Sequence, residues 1–122
     1  LIMFFVNCIR LFKYAFQGFV YMAKEKNIRI HVFFGIFMII LGYVYRISFQ
    51  EWFWTLLCIA LVISMETVNS CIEALADEIS LERKPSIKRI KDMAAGAVLV
   101  VTLFAVVIGI IIFVPKSFGG FL

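Results

Sequence analysis

The sequence predicts an all-α integral membrane protein: a helix lying on the membrane surface, then three helices that cross it. Three observations carry this reading. Apolar residues make up 64% of the 122-residue chain. A soluble domain is about half apolar, so too little polar surface remains here to coat a soluble globule. Three apolar segments approach or reach the roughly 20 residues that a spanning helix needs. The basic residues gather in the stretches that flank these segments. One domain is expected at this length.

The chain opens on Leu1 rather than Met, which suggests a trimmed N-terminus, and LIMFFV lacks both a basic flank and a small-residue cleavage pattern. No cleavable signal peptide is therefore expected. In residues 7–24, NCIRLFKYAFQGFVYMAK, apolar side chains alternate in helical rhythm with Asn7, Arg10, Lys13 and Gln17. That pattern predicts an amphipathic helix on the membrane surface, with Gly18 as a place for it to bend. The competing reading runs this stretch straight into the first span.

The first span is placed at residues 30–49, through IHVFFGIFMIILGYVY and onward if Arg46 snorkels. The second, residues 52–79, starts at Trp52 without a charge and ends in METVNSCIEALADEI. The third, residues 92–115, contains MAAGAVLVVTLFAVVIGIIIFVP. Pro85 breaks any helix between the second and third. Trp52 and Trp54 suit an interfacial belt, and Ala94, Ala95, Gly96 and Ala97 suit close helix packing. Cys8, Cys58 and Cys71 are odd in number, show no CxxC spacing and lie in apolar runs, so they read as small apolar-facing residues. His31, the single histidine, reads as an interfacial hydrogen-bonding residue.

The net charge of +4 matters less than its distribution. Arg10, Lys13, Lys24, Lys26 and Arg29 precede the first span. Arg83, Lys84, Lys88, Arg89 and Lys91 lie between the second and third. By the positive-inside rule both regions are cytoplasmic, and the 46–51 link and the C-terminus face outward. No basic stripe lies outside these flanks, which argues against nucleic-acid binding.

The second span carries a polar stripe. On a helix, Glu66, Asn69, Glu73 and Asp77 fall on one face about 80° wide and extend about 16 Å along the axis. Glu66 is deepest and Asp77 is nearest the cytoplasm. Acids at membrane depth cost several kcal/mol each, so they face a bundle interior or a cation. An interhelical ion pair with Lys24, Arg29 or Lys91 would account for part of the stripe. Three acids and an amide also suit a divalent cation with oxygen ligands, plus a carboxylate free to act as a base. Glu25, Lys91 and Asp92 are expected to join Glu73 and Asp77 on the cytoplasmic side. Acids beside a Lys-rich loop suggest a nucleoside triphosphate with its Mg2+. There is no GxxxxGK[ST] and no GxGxxG, so such a site is not a standard nucleotide fold.

Two segments give this chain a family resemblance. Glu66, Asn69, Ser70, Ile72, Glu73 and Asp77 form E-x-x-N-S-x-I-E-x-x-x-D, and IKDMAAGAV follows from Ile90 to Val98. With these segments, over roughly residues 10–115, the chain resembles the prokaryotic diacylglycerol kinases, which include undecaprenol kinases. The resemblance implies three spanning helices, an amphipathic surface helix and a homotrimer with sites shared between subunits. It implies transfer of the ATP γ-phosphoryl group to a lipid alcohol, undecaprenol or diacylglycerol, in lipid recycling for envelope synthesis at the bacterial plasma membrane. Glu66 then matches the catalytic base and touches the lipid substrate, with Asn69 beside it. Glu25 and Glu73 match ligands of Mg2+. Tyr14, Glu25, Glu73, Asp77, Lys91 and Asp92 match ATP contacts. Glu82, Arg83 and Lys84 stand where many members carry a His-containing loop pattern, and are assigned to ATP with them. The ending GIIIFVPK resembles the Gram-positive type and leans toward undecaprenol. A different class, a small cation- or proton-coupled transporter, would explain Glu66 alone and not the acids and Lys91 near it.

Overall fold

The structure, a computed structural model, describes residues 1–82 and 84–119. Among these residues it is all-helical: α1 (Ile2–Lys24), α2 (Lys26–Tyr45), α3 (Phe49–Ile79) and α4 (Pro85–Ser117). Helices α2, α3 and α4 are each long and apolar enough to cross a membrane. The chain is a multi-pass membrane protein.

Helix α1 starts earlier than its sequence rhythm indicates and passes through Gly18 without a break. It does not continue into the first span. Glu25 is extended, at φ −84° and ψ 123°, and separates the two helices. The Arg29 guanidinium donates to the carbonyl oxygens of Ala23 and Lys24 at 3.2 and 3.3 Å. These are carbonyls that the end of α1 leaves without helical partners. No residue of α1 is buried.

The expected first span, residues 30–49, is displaced from the helix, which starts at Lys26 and has the same length of 20 residues. Helix α2 stops at Tyr45, not near Phe49, because Arg46 adopts the left-handed conformation at φ 51°. Its N–H then satisfies carbonyls of the last turn. Helix α3 restarts at once through a capping box: Glu51 N–H donates to Ser48 Oγ at 3.2 Å and Ser48 N–H donates to Glu51 Oε1 at 2.9 Å. SFQE carries that signature in the sequence. Helix α4 starts at Pro85, where the missing N–H is harmless in a first turn. It also runs through Pro115 to Ser117, because only the final turn loses a ladder bond there. Ser117 Oγ donates to the Phe113 carbonyl at 2.9 Å.

Helices α3 and α4 are antiparallel and tied at both ends. Lys116 Nζ lies 3.1 Å from Glu51 Oε1, and Lys91 pairs with Asp77. The ties are about 39 Å apart along α3 and about 38 Å apart along α4 at 1.5 Å per residue. That separation approaches the roughly 40–45 Å thickness of a bilayer with its headgroups. The apolar core, Ile47, Ile112 and Phe113 with Trp52 and Tyr45 against it, sits at the Glu51 end.

Helices α2 and α3 approach closely at two glycines missed in the sequence, one heptad apart. A Cβ on Gly35 would lie 2.9 Å from Ile59 Cγ2, and one on Gly42 would lie 2.7 Å from Trp52 Cη2. Trp52 packs across Gly42 and beside Tyr43, with ring centroids 5.0 Å apart. It therefore braces the hairpin, whereas Trp54 is exposed. By contrast, Gly96 has open space around it, and Ala94 is the buried residue of that small run. Gly42→Val should overpack this contact and destabilise the fold by about 1–3 kcal/mol. Thermal unfolding in detergent should show a lower midpoint, and an unchanged midpoint would contradict the close approach.

Candidate active site

The stripe on α3 divides by depth. Glu66 and Asn69 are buried, at 5% and 7% exposure. Glu73 and Asp77 are exposed, toward the free end of the helix. At 31 residues α3 is about 46 Å long, well beyond a hydrocarbon core of roughly 30 Å. Its acidic end has length to project out of the apolar layer.

Each member of the stripe finds a different neighbour. Asn69 Nδ2 donates to Glu73 Oε1, one turn on, at 3.2 Å. Asn69 Oδ1 is buried without a hydrogen-bond partner among the described residues. Asp77 accepts from Lys91 Nζ of α4. This is the interhelical ion pair that the sequence allowed for, and it engages only Asp77. Lys24 and Arg29 take no part: Lys24 lies over the Tyr21 ring at 5.7 Å, and Arg29 caps α1. Glu66 Oε2 lies 3.5 Å from Nε2 of His31 on α2.

The expected gathering of Glu25, Glu73, Asp77, Lys91 and Asp92 is only partly present within the chain. Asp92 is held by Lys88 on its own helix face, at 2.7 Å. Glu25 is exposed at the break between α1 and α2 and makes no ion pair among the described residues. No three His, Cys, Asp or Glu side chains cluster as a metal site among the described residues. Tyr14 is exposed midway along α1. Glu82 and Lys84 are exposed in the α3–α4 link, and Arg83 lies outside the described residues.

His31 is the neighbour of Glu66 that the sequence reading missed. It lies half-buried on α2 and lines an apolar cavity of about 520 Å³ between α2, α3 and α4 that reaches to Phe113. Hairpin register could have found it. His31 and Glu66 are about 24 and about 28 Å from the α2–α3 turn along their helices, so an antiparallel pair brings them level.

The sequence model of the prokaryotic diacylglycerol kinase family matches residues 13–113. Among curated proteins, the chain is 36% identical to an undecaprenol kinase of Bacillus subtilis over 92 residues, 75% of each chain. It is 31% identical to a diacylglycerol kinase of Synechocystis over 111 residues, 89% of this chain and 63% of that one. It is 34% identical to a diacylglycerol kinase of Helicobacter pylori over 82 residues, 67% of this chain and 64% of that one. The polar stripe and the turns that join α2 to α3 and α3 to α4 fall inside the matched region, and the chain belongs to the prokaryotic diacylglycerol kinase family, a family of membrane lipid kinases.

Proposed function

We propose that this protein transfers the γ-phosphoryl group of ATP to the hydroxyl of a membrane lipid alcohol, at the cytoplasmic face of a bacterial plasma membrane. The observation that carries the reading is the gradient along α3. Buried Glu66 and Asn69 lie where a bilayer-held hydroxyl can reach, and exposed Glu73 and Asp77 lie toward a water-borne nucleotide.

Glu66 acts as general base. The hydroxyl O–H bond breaks as its proton passes to the Glu66 carboxylate, the oxygen bonds to the γ-phosphorus, and ADP leaves with the electrons of the broken P–O bond. Asn69 orients Glu73 through the hydrogen bond from its Nδ2. Mg2+ fits this oxygen-rich donor set, since it is held by one or two carboxylates and completes its shell with substrate phosphates and water. Glu73 and Glu25 would hold it. Bound there, it would neutralise charge on the transferring phosphates. Lys91, anchored by Asp77, meets phosphate charge, and Tyr14, Glu82, Arg83, Lys84 and Asp92 line the nucleotide side.

The acceptor is undecaprenol or diacylglycerol. Undecaprenol is the first to test, because the relative of that name shares 36% identity, against 31% and 34% for the two diacylglycerol kinases. Its phosphorylation would return the lipid to envelope synthesis. Purified protein given labelled ATP and a panel of lipid alcohols should phosphorylate one of these two. Transfer to neither would reject the reading.

A homotrimer with shared sites follows from the same reading. Among the described residues, one chain brings no three candidate ligands together and buries no residue of α1, so a second copy is needed to complete the ligand set and can cover part of α1. Helix α1 lies on the membrane surface, where its apolar side chains meet lipid. Mass measurement in mild detergent should give a trimer, and a fully active monomer would contradict it. Topology is testable at Lys88, whose side chain is exposed. In a background without Cys8, Cys58 and Cys71, a cysteine at position 88 should react only with reagents inside the cell. Labelling from outside would reverse the orientation.

A further inference from the structure

We propose that His31 is a positioning residue for phosphoryl transfer: its Nε2 holds Oε2 of Glu66 and leaves Oε1 to take the acceptor's proton. This rests on the reading of Glu66 as the base. Three features on the page lead to it. The Glu66 side chain is 7% exposed, and His31 Nε2 lies 3.5 Å from its Oε2. Arg29 and Lys91 are engaged elsewhere, Arg29 on the carbonyls of Ala23 and Lys24, and Lys91 on Asp77. The backbone that carries His31 is also fixed, because Gly35 brings α2 against Ile59 of α3 one turn away.

A buried carboxylate without a donor is free to rotate. A general base must lie within about 2.6–3.2 Å of the proton it removes, and such contacts are looser before substrate binds and tighten in the complex. Anchoring one carboxylate oxygen fixes the plane of the group and the direction of the other. The His31 ring also lines the apolar cavity between the three long helices, so it borders both that cavity and the carboxylate. A misplacement of about 1 Å in such a site costs on the order of 100-fold in rate.

The test is a kinetic comparison of purified, correctly assembled protein, assayed for lipid phosphorylation. Wild type and Glu66→Gln come first. If wild type transfers no phosphoryl group to lipid, or if Glu66→Gln keeps near-full rate, the underlying reading falls and this proposal falls with it. Given an active wild type and a disabled Glu66→Gln, His31→Ala should lower kcat about 10- to 100-fold. The KM for ATP should stay within about twofold, because the nucleotide contacts lie elsewhere. His31→Gln, which restores an N–H donor, should recover most of the loss. In the Glu66→Gln background, His31→Ala should cause no further loss, since residues acting through one another are non-additive. If His31→Ala fails to assemble, His31→Phe keeps the ring volume without the donor and carries the same expectations. A kcat within about twofold of wild type in the donor-free variant would overturn the proposal. So would losses that multiply in the double variant.

Discussion

Glu66→Gln is expected to lower lipid phosphorylation about 10²- to 10⁴-fold, the range for loss of a general base, while Mg-ATP binding stays intact. The substitution keeps the shape of the side chain, so the packing around this buried position is preserved. It removes the group that accepts a proton. It removes no ligand from the exposed end of the stripe, where Glu73 and Asp77 stand. The dependence on magnesium concentration should therefore not move. Steady-state rates beside nucleotide binding on the same preparation would check both halves. Near-full lipid phosphorylation would show that Glu66 is not the base, and the stripe would then serve metal and nucleotide binding alone.

Glu73→Gln and Glu25→Gln should act differently. Each deletes a carboxylate from the proposed Mg2+ site, so each should weaken Mg-ATP binding and shift the magnesium requirement upward. Even supporting partners of a metal ligand are worth about 10- to 100-fold in affinity, and loss of a ligand should be at least that large. For Glu73 the change also disturbs the hydrogen bond from Asn69 Nδ2. Glu25 lies apart at the α1–α2 break, so a matching shift there would tie the two positions to one ion. An unchanged magnesium dependence in Glu25→Gln would remove that residue from the metal site.

Much of this architecture was legible in the sequence because membrane helices are written in length and apolarity. The three spans, the break before Pro85 and the shared face of Glu66, Asn69, Glu73 and Asp77 all follow from residue type and helical period. Helix ends were less legible. Arg46 in the left-handed region stops α2 for a conformational reason that hydropathy does not encode, and Pro115 is carried inside α4 because it falls in the last turn. Side-chain partners were least legible. The sequence offered Lys24, Arg29 and Lys91 equally as partners for the stripe. The fold uses Lys91 for Asp77, spends Arg29 on the end of α1, and places His31 beside Glu66. The His31–Glu66 approach depends on the α2–α3 register, where Gly35 and Gly42 allow close contact that hydropathy does not encode.

The central claim, that a water-borne donor and a bilayer-borne acceptor meet along α3, is tested most directly by following the γ-phosphoryl group. Purified protein is supplied with γ-labelled ATP, with and without undecaprenol or diacylglycerol, and the label is partitioned between organic and aqueous phases. The account predicts label in the lipid phase in step with ADP formation, and ADP formation that depends on the lipid alcohol. ADP formed equally without lipid, or an organic phase free of label, would contradict it.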